Sequence, residues 1–213
     1  GNRSPGSALM KLETMLPKAR VEKLRAERAS RKAEAEATYS QGRLLNPDYD
    51  PAEIAAMNRT SRGRGNVGYR ALVPSYVASK AKPGETILDY GAGKEALHTQ
   101  SLRGLGLDVT AYDIGANFDP AVHDHYALHR RYDWVMVSNV ANVQPTNRHL
   151  HDLVAALAAL VKPGGRLVIN YPSSPRRPGM TSTEFMALLM QHFRQGSLVG
   201  GTRSAPVMEA EAR

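Results

Sequence analysis

Apolar and polar positions change period several times along the chain. Ile87 and Leu88 form a short apolar run bounded by Pro83-Gly84 and Gly91, which predicts a strand over 85–90. Good helix formers follow over about 95–104, with Ala96, Leu97 and Leu102 as the apolar positions, and Gly104 and Gly106 punctuate before a second strand from Asp108 to Asp113. A third strand is predicted from Trp134 to Ser138. Leu150, Leu153, Val154, Leu157 and Leu160 recur at helical spacing and predict a helix over about 147–161. Pro163-Gly164-Gly165 reads as a turn and Arg166 to Asn170 as a strand. Phe185, Leu188, Leu189 and Phe193 predict a last helix over about 182–193, with short strands near Ser197–Val199 and Pro206–Glu209. Strands that alternate with helices predict an α/β fold, a mostly parallel sheet flanked by helices on both faces. No internal repeat is visible.

The pattern is different upstream. Residues 1–9 read as a leader, and 9–39 are rich in Ala, Glu, Lys, Arg and Leu, which favours helix. Leu9, Leu12, Leu16, Val21 and Leu24 give only a short apolar stripe, and beyond Arg25 the segment is polar all round. Gln41 to Asp50 reads as a linker. Asp50-Pro51-Ala52-Glu53 is a helix start, with an acid at the N-cap, proline at N1 and Glu53 three residues after the cap. A short helix to about Asn58 should follow, then a basic loop containing Arg59, Arg62 and Arg64, then a helix from Tyr69 to Lys80 interrupted by Pro74. The expected division is a basic helical arm and linker over 1–66 and an α/β domain over 67–213.

Charge follows that division. The net charge is +8, and residues 1–82 hold 16 Lys/Arg against 8 Asp/Glu, so the rest of the chain is balanced. A basic arm beside a neutral domain points to a polyanionic partner, nucleic acid first, with Arg59, Arg62 and Arg64 as the contact candidates. An ordinary solvated helix and loop is the plain alternative. The chain has no cysteine, which excludes disulfides, thiolate metal sites and a cysteine nucleophile, and suits a reducing, cytoplasmic compartment. No apolar run reaches the roughly 18–20 residues of a membrane-spanning helix, and no secretory signal pattern opens the chain. It begins with Gly1 rather than Met, as an expression scar or a piece of a longer polypeptide would.

Ligands of open α/β sheets bind beyond the carboxyl ends of the strands. The first strand ends in Asp89-Tyr90-Gly91-Ala92-Gly93, and the second in Asp113-Ile114, with Asp113 placed 22 residues beyond Gly91. An acid at that distance can accept hydrogen bonds from both hydroxyls of a ribose. The third strand ends in Ser138-Asn139-Val140-Ala141-Asn142 and the fourth in Asn170-Tyr171-Pro172. Two cofactor classes fit this frame. A nicotinamide dinucleotide would use Gly91, Gly93 and the small Ala96. S-adenosylmethionine, which has no pyrophosphate but carries an α-ammonium group, would use Asp89 as well.

These residues resemble the class I S-adenosylmethionine-dependent methyltransferases, a Rossmann-like family, over roughly 69–195. The similar positions are Asp89/Gly91/Gly93 closing the first strand, Asp113 closing the second, Lys162-Pro163-Gly164-Gly165-Arg166 before the fifth, and Tyr132 to Val140 as the fourth strand and its end. The chain also resembles methyltransferase-like proteins encoded by bacteriophages. The resemblance implies S-adenosylmethionine held by Asp89, Tyr90, Gly91, Ala92, Gly93, Asp113, Ile114, Ser138 and Asn139. Glu95 stands where the family often has a third glycine. The connection from Asp113 to Asp133 is short for the usual helix and third strand, which leaves Asp124 or Asp119 as the adenine-contacting acid. The tail after Phe193 is short for the closing hairpin, so a trimmed sheet edge is expected. His123-Asp124-His125 lacks a clear third ligand for a metal and reads as loop.

The acceptor is less marked. Methyltransferases of base amino groups carry an Asn/Asp-Pro-Pro-aromatic run after the fourth strand. Ser138 to Asn142 lacks it, so the residues do not support that motif's chemistry. Without cysteine, a covalent cytosine-C5 mechanism is excluded. Transfer by proximity remains, with at most one general base, and Asn139, Asn142, Tyr171 and Arg176 are the polar groups expected at the mouth. The alternative is a non-catalytic S-adenosylmethionine-binding or structural module of a larger nucleic-acid-associated assembly.

Overall fold

The computed structural model describes residues 46–60 and 71–213, with six helical positions between 19 and 27. The chain divides into two units, Gly1–Gly42 and Arg43–Arg213. In the first, the described positions Ala19, Arg20, Glu22, Lys23, Ala26 and Glu27 are helical and exposed. The rest of residues 1–45, and 61–66 with Arg62 and Arg64, lie outside the described residues. Arg59 is described, and is exposed near the end of a helix.

The second unit opens with helix α1 (Pro51–Thr60) and helix α2 (Leu72–Lys80). Asp50 caps α1 as its sequence demands: Glu53 N–H donates to Asp50 Oδ1 at 2.8 Å, and Asp50 N–H donates to Glu53 Oε2 at 3.0 Å. Strand β1 (Thr86–Tyr90), helix α3 (Leu97–Gly104), strand β2 (Asp108–Tyr112) and strand β3 (Tyr132–Val137) follow. Helix α4 (Asn147–Leu160), strand β4 (Val161–Asn170), helix α5 (Ser182–His192) and the hairpin β5 (Gln195–Thr202) and β6 (Ala205–Glu211) complete it.

The sheet order is β2-β1-β3-β4-β6-β5. β2, β1, β3 and β4 pair in parallel, and β6 runs antiparallel to both of its neighbours. Strand alternation sorts the side chains between two layers. Leu88, Tyr90, Val135, Val137, Leu167 and Ile169 pack with α4 and α5, whereas Ile87, Trp134, Met136 and Val168 pack with α2 and α3. Leu150, Leu153, Leu157 and Leu160 of α4 are fully buried, each contributing roughly 1.5–3 kcal/mol of hydrophobic stabilisation.

Three features depart from expectation. The Pro163-Gly164-Gly165 turn is absorbed into β4 as a bulge, because pairing moves from Tyr132↔Val161 directly to Trp134↔Arg166. The expected trimmed edge is wrong: 17 positions suffice for a full β5–β6 hairpin turning through Arg203-Ser204. Helix α1 belongs with the α/β unit rather than with the arm, so the division falls between 42 and 43 and not at 66. No described helix is long and apolar enough to cross a membrane.

Candidate active site

The carboxyl ends of β1, β2, β3 and β4 open into one cavity of about 1020 Å³, at the upper end of small-molecule sites and roomy for a cofactor together with an acceptor. Its floor is the turn after β1. Gly91 and Ala92 N–H groups both donate to the Tyr112 carbonyl at 2.9 Å, which ties the turn to the end of β2. Gly91 has φ of 78°, and a Cβ there would lie 2.3 Å from Val140 Cγ2, so only glycine lets the turn and the β3 end approach this closely. The glycine-like conformation further along falls at Ala96 (φ 46°), not at Glu95, so nothing in the backbone asks for a third glycine at 95.

Asp113 is the hinge of the floor. Its Oδ2 accepts the Gly93 N–H at 2.6 Å and its Oδ1 accepts the Ile114 N–H at 2.7 Å. Burial raises its carboxyl above the usual range, and those two N–H bonds together with His123 and Asn117 oppose the rise. A carboxylate offers about four acceptor positions, so room remains for ribose hydroxyls. His123 braces the same turn from below. Asp119 N–H donates to Nδ1 at 2.9 Å, which assigns the proton to Nε2, and Nε2 donates to the Gly93 carbonyl at 2.9 Å. The role of His123 is thus structural, and among the described residues no group of three His, Asp or Glu could hold a metal.

Residues 46–60 roof the cavity. Tyr49 donates its hydroxyl to Gln144 Oε1 at 2.5 Å, Tyr90 donates to Asn46 Oδ1, and Asn46 Nδ2 donates to the Tyr112 hydroxyl at 3.2 Å. Burial holds the phenols of Tyr49, Tyr90 and Tyr112 well above their ordinary range, so they stay neutral. Asn58 Oδ1 accepts the Ala116 N–H at 2.9 Å, and α1 passes so close to Gly115 that a Cβ there would meet Ile54 Cγ2 at 2.3 Å.

Of the expected site residues, Tyr90, Gly91, Ala92, Gly93, Asp113, Ile114, Ser138, Asn139 and Asn142 line this cavity. Three do not. Asp89 is 1% exposed and lies beneath the turn, accepting the Thr99 hydroxyl at 2.7 Å. Strand alternation puts it on the α3 side with Ile87, so it supports the turn from behind rather than reaching a ligand's ammonium group. Asp124 pairs with Arg130 at 2.7 Å away from the cavity. Tyr171 is fully buried, stacks on Phe185 at 4.5 Å, donates to the Met180 carbonyl at 2.9 Å and carries Arg176 over its other face. Tyr171 is a core residue, and Arg176 is spent holding its loop. Sequence reasoning missed Tyr49, Met57, Asn58, Asn117 and Gln144, all of which line the cavity. The one signal for the roof was Ile54, Met57 and Asn58 at helical spacing on α1.

A glycine turn cradled by an acid on the neighbouring strand, at the carboxyl ends of a parallel sheet, defines a nucleoside-cofactor domain of Rossmann-like type. A family model described as a methyltransferase domain matches residues 65–199. The chain belongs to that family, and is a class I S-adenosylmethionine-dependent methyltransferase. Solved structures share the fold at low identity. A TehB-like SAM-dependent methyltransferase from Corynebacterium glutamicum is 15% identical, covering 77% of this chain and 100% of its own, with a TM-score of 0.53. The N-methyltransferase NodS from Bradyrhizobium japonicum, in complex with S-adenosyl-L-homocysteine, is 11% identical over 75% of this chain and 98% of its own, with a TM-score of 0.51. The PH0226 protein from Pyrococcus horikoshii is 12% identical over 66% and 88%, with a TM-score of 0.52. No curated protein matches the sequence.

Proposed function

We propose that the chain transfers the methyl group of S-adenosylmethionine to an acceptor entering past the ends of β3 and β4, with nucleic acid as the favoured acceptor in a cytoplasmic setting. The observation that carries the cofactor half is the cradle of Gly93 and Ile114 N–H groups on Asp113, which leaves acceptor positions on the carboxylate facing the cavity. What supports the acceptor class is the charge of the chain, whose whole +8 excess falls within residues 1–82 and includes Arg59, Arg62 and Arg64. Holding donor and acceptor in line is the main catalytic device available to such a site.

The test is calorimetric titration with S-adenosylmethionine, then transfer of labelled methyl to DNA, RNA, protein and small-molecule pools. Removing residues 1–42, which leaves α1 in place, should weaken salt-sensitive nucleic-acid binding, and adding Arg59→Ala, Arg62→Ala and Arg64→Ala should abolish it, while cofactor affinity stays. Nucleic-acid binding unchanged by the removal would overturn the arm's role. Absence of cofactor binding by the full chain would overturn the enzyme reading.

A further inference from the structure

Charge divides the cavity. Its two lining carboxylates, Glu95 and Asp113, belong to the β1 turn and the β2 end. The opposite end is bounded by 54–60 of α1, 138–151 after β3 and 170–183 after β4, and these three stretches hold four arginines and no aspartate or glutamate. Two of the four are engaged. Arg176 donates to the Tyr171 carbonyl at 2.8 Å and lies over the Tyr171 ring, and Arg148 pairs with Asp152 at 3.9 Å. Arg59 and Arg177 are exposed, and neither pairs with a carboxylate among the described residues.

Arg177 is fixed at its base. Its backbone N–H donates to the Asn142 carbonyl at 3.0 Å, which anchors the residue to the turn after β3. Its Nη2 reaches the Ala56 carbonyl on α1 at 3.5 Å, the long limit of a hydrogen bond. Met57, next to Ala56, and Pro175, two residues before Arg177, both line the cavity. The guanidinium therefore sits on the rim where roof, β3 end and β4 end meet, with most of its N–H donors unengaged by described groups. Arg59 lies one turn beyond Ala56 on the same face of α1, and Arg62 and Arg64 follow it in the chain. An unpaired guanidinium on an anchored backbone, at a rim without acids, suits a phosphate. Its planar fork can hold two phosphate oxygens, and no neighbouring carboxylate competes for it.

We infer that the phosphate backbone of a nucleic-acid strand docks on this rim, with Arg177 and Arg59 each on a phosphate beside the nucleotide that enters the cavity. The standing of that strand as methyl acceptor rests on the function proposed above. At about 1020 Å³ the cavity has room for a cofactor and a single nucleotide, not a duplex, so the strand is single or presents one unpaired nucleotide. Arg177 is a positioning residue. Phosphate contacts fix register without reading bases, and one exposed contact of this kind changes affinity by about fivefold or less. The arm and Arg59 hold the strand, and Arg177 sets which nucleotide faces the cavity.

The experiment uses the full chain with three probes: a short fluorescent single-stranded DNA of mixed sequence, the same strand with uncharged methylphosphonate links, and adenosine monophosphate. Anisotropy across a salt series gives the affinity and its salt slope. Arg177→Ala should weaken the charged strand by about fivefold and lower the slope by about 0.7, the share of one phosphate on a single strand. Arg177→Lys, which keeps the charge, should recover most of both. The methylphosphonate strand should not distinguish the three proteins, and their cofactor affinity and cooperative melting should be the same. Affinity and slope unchanged by Arg177→Ala overturn the inference. Equal losses on the charged and uncharged strands also overturn it, because they report a loosened rim and not a phosphate contact. If adenosine monophosphate binds with this dependence on Arg177 and the strand does not, the occupant is a small phosphate ester and the strand is overturned. Failure to bind S-adenosylmethionine, with strand binding still dependent on Arg177, overturns the methyltransferase reading and supports the docking rim.

Discussion

Asp113 Oδ2 accepts the Gly93 N–H at 2.6 Å, so the acid that closes β2 also holds the turn that closes β1. Asp113→Ala removes a ribose acceptor and frees the Gly93 N–H of the turn and the Ile114 N–H after β2. Hydrogen bonds to a charged group are worth about 1.5–3 kcal/mol each, so cofactor affinity should fall roughly 100-fold or more. Asp113→Asn should fall between, because its amide has one acceptor oxygen for two donors. Calorimetry on both variants checks this, and an Ala variant within threefold of the parent would contradict it.

Gly91→Ala should cost stability and cofactor binding together. The backbone there has φ of 78°, and the new methyl would lie 2.3 Å from Val140 Cγ2. Left-handed backbone in a non-glycine residue costs about 1–3 kcal/mol, and the clash adds to that. Val140→Ala in the same chain should recover the clash but not the backbone strain. Urea melts of the single and double variants would separate the two, and full recovery would show that φ matters little.

The roof should be separable from the floor. Tyr49→Phe leaves Gln144 Oε1 buried without the hydroxyl that donates to it at 2.5 Å, which costs about 1–3 kcal/mol. Gly115→Ala drives a methyl toward Ile54 Cγ2 and Asn58 Oδ1. Both changes should speed hydrogen exchange across 46–60 with little change in β1, β3 and β4. Equal acceleration throughout the sheet would mean that the roof is not an independent unit.

Asp89 predicts a pH signature. Burial, opposed by the Thr99 hydroxyl and reinforced by Asp113, raises its carboxyl from 3.8 to about 7. The folded chain then keeps a proton that the unfolded chain has lost, so this contribution to stability is full below pH 3.8, falls as pH rises, and is gone above about 7. Asp89→Asn should therefore gain on the parent across that window, by on the order of a few kcal/mol at its upper end. Stability by urea at pH 4.5, 6 and 8 tests it: a difference independent of pH would mean that Asp89 does not titrate in the window.

Much of the frame was readable from period alone. β1, β3 and α4 carry runs whose spacing admits one reading, and the glycine turn announced itself by Gly91 and Gly93. Side-chain direction at strand ends was not readable in the same way. The rule that ligands lie beyond strand ends brought Tyr171 and Asn170 forward together, yet successive residues leave a strand on opposite sides. Asn170 meets Asn139 while Tyr171 turns into the core. Asp89 was misplaced for the same reason. Asp124 fitted by position, and only the structure reveals Arg130 beside it. The roof could not be foreseen because α1 lies far from β3 in the chain, and the bond between Tyr49 and Gln144 spans 95 positions.

Between β2 and β3 the described chain forms two short 3-10 turns, Gly115–Asn117 and Ala127–His129, and no strand. One wall of the cavity is therefore loop, fastened by side chains such as His123, Asn58 and the Asp124–Arg130 pair. Segments of that kind open locally at lower free energy than sheet cores. The parallel sheet can be complete while this wall is still open, and a bound nucleoside would add its binding energy to closing it. The cofactor would then act as the last structural element of the domain, and saturating ligand should protect 113–131 from exchange more than any strand.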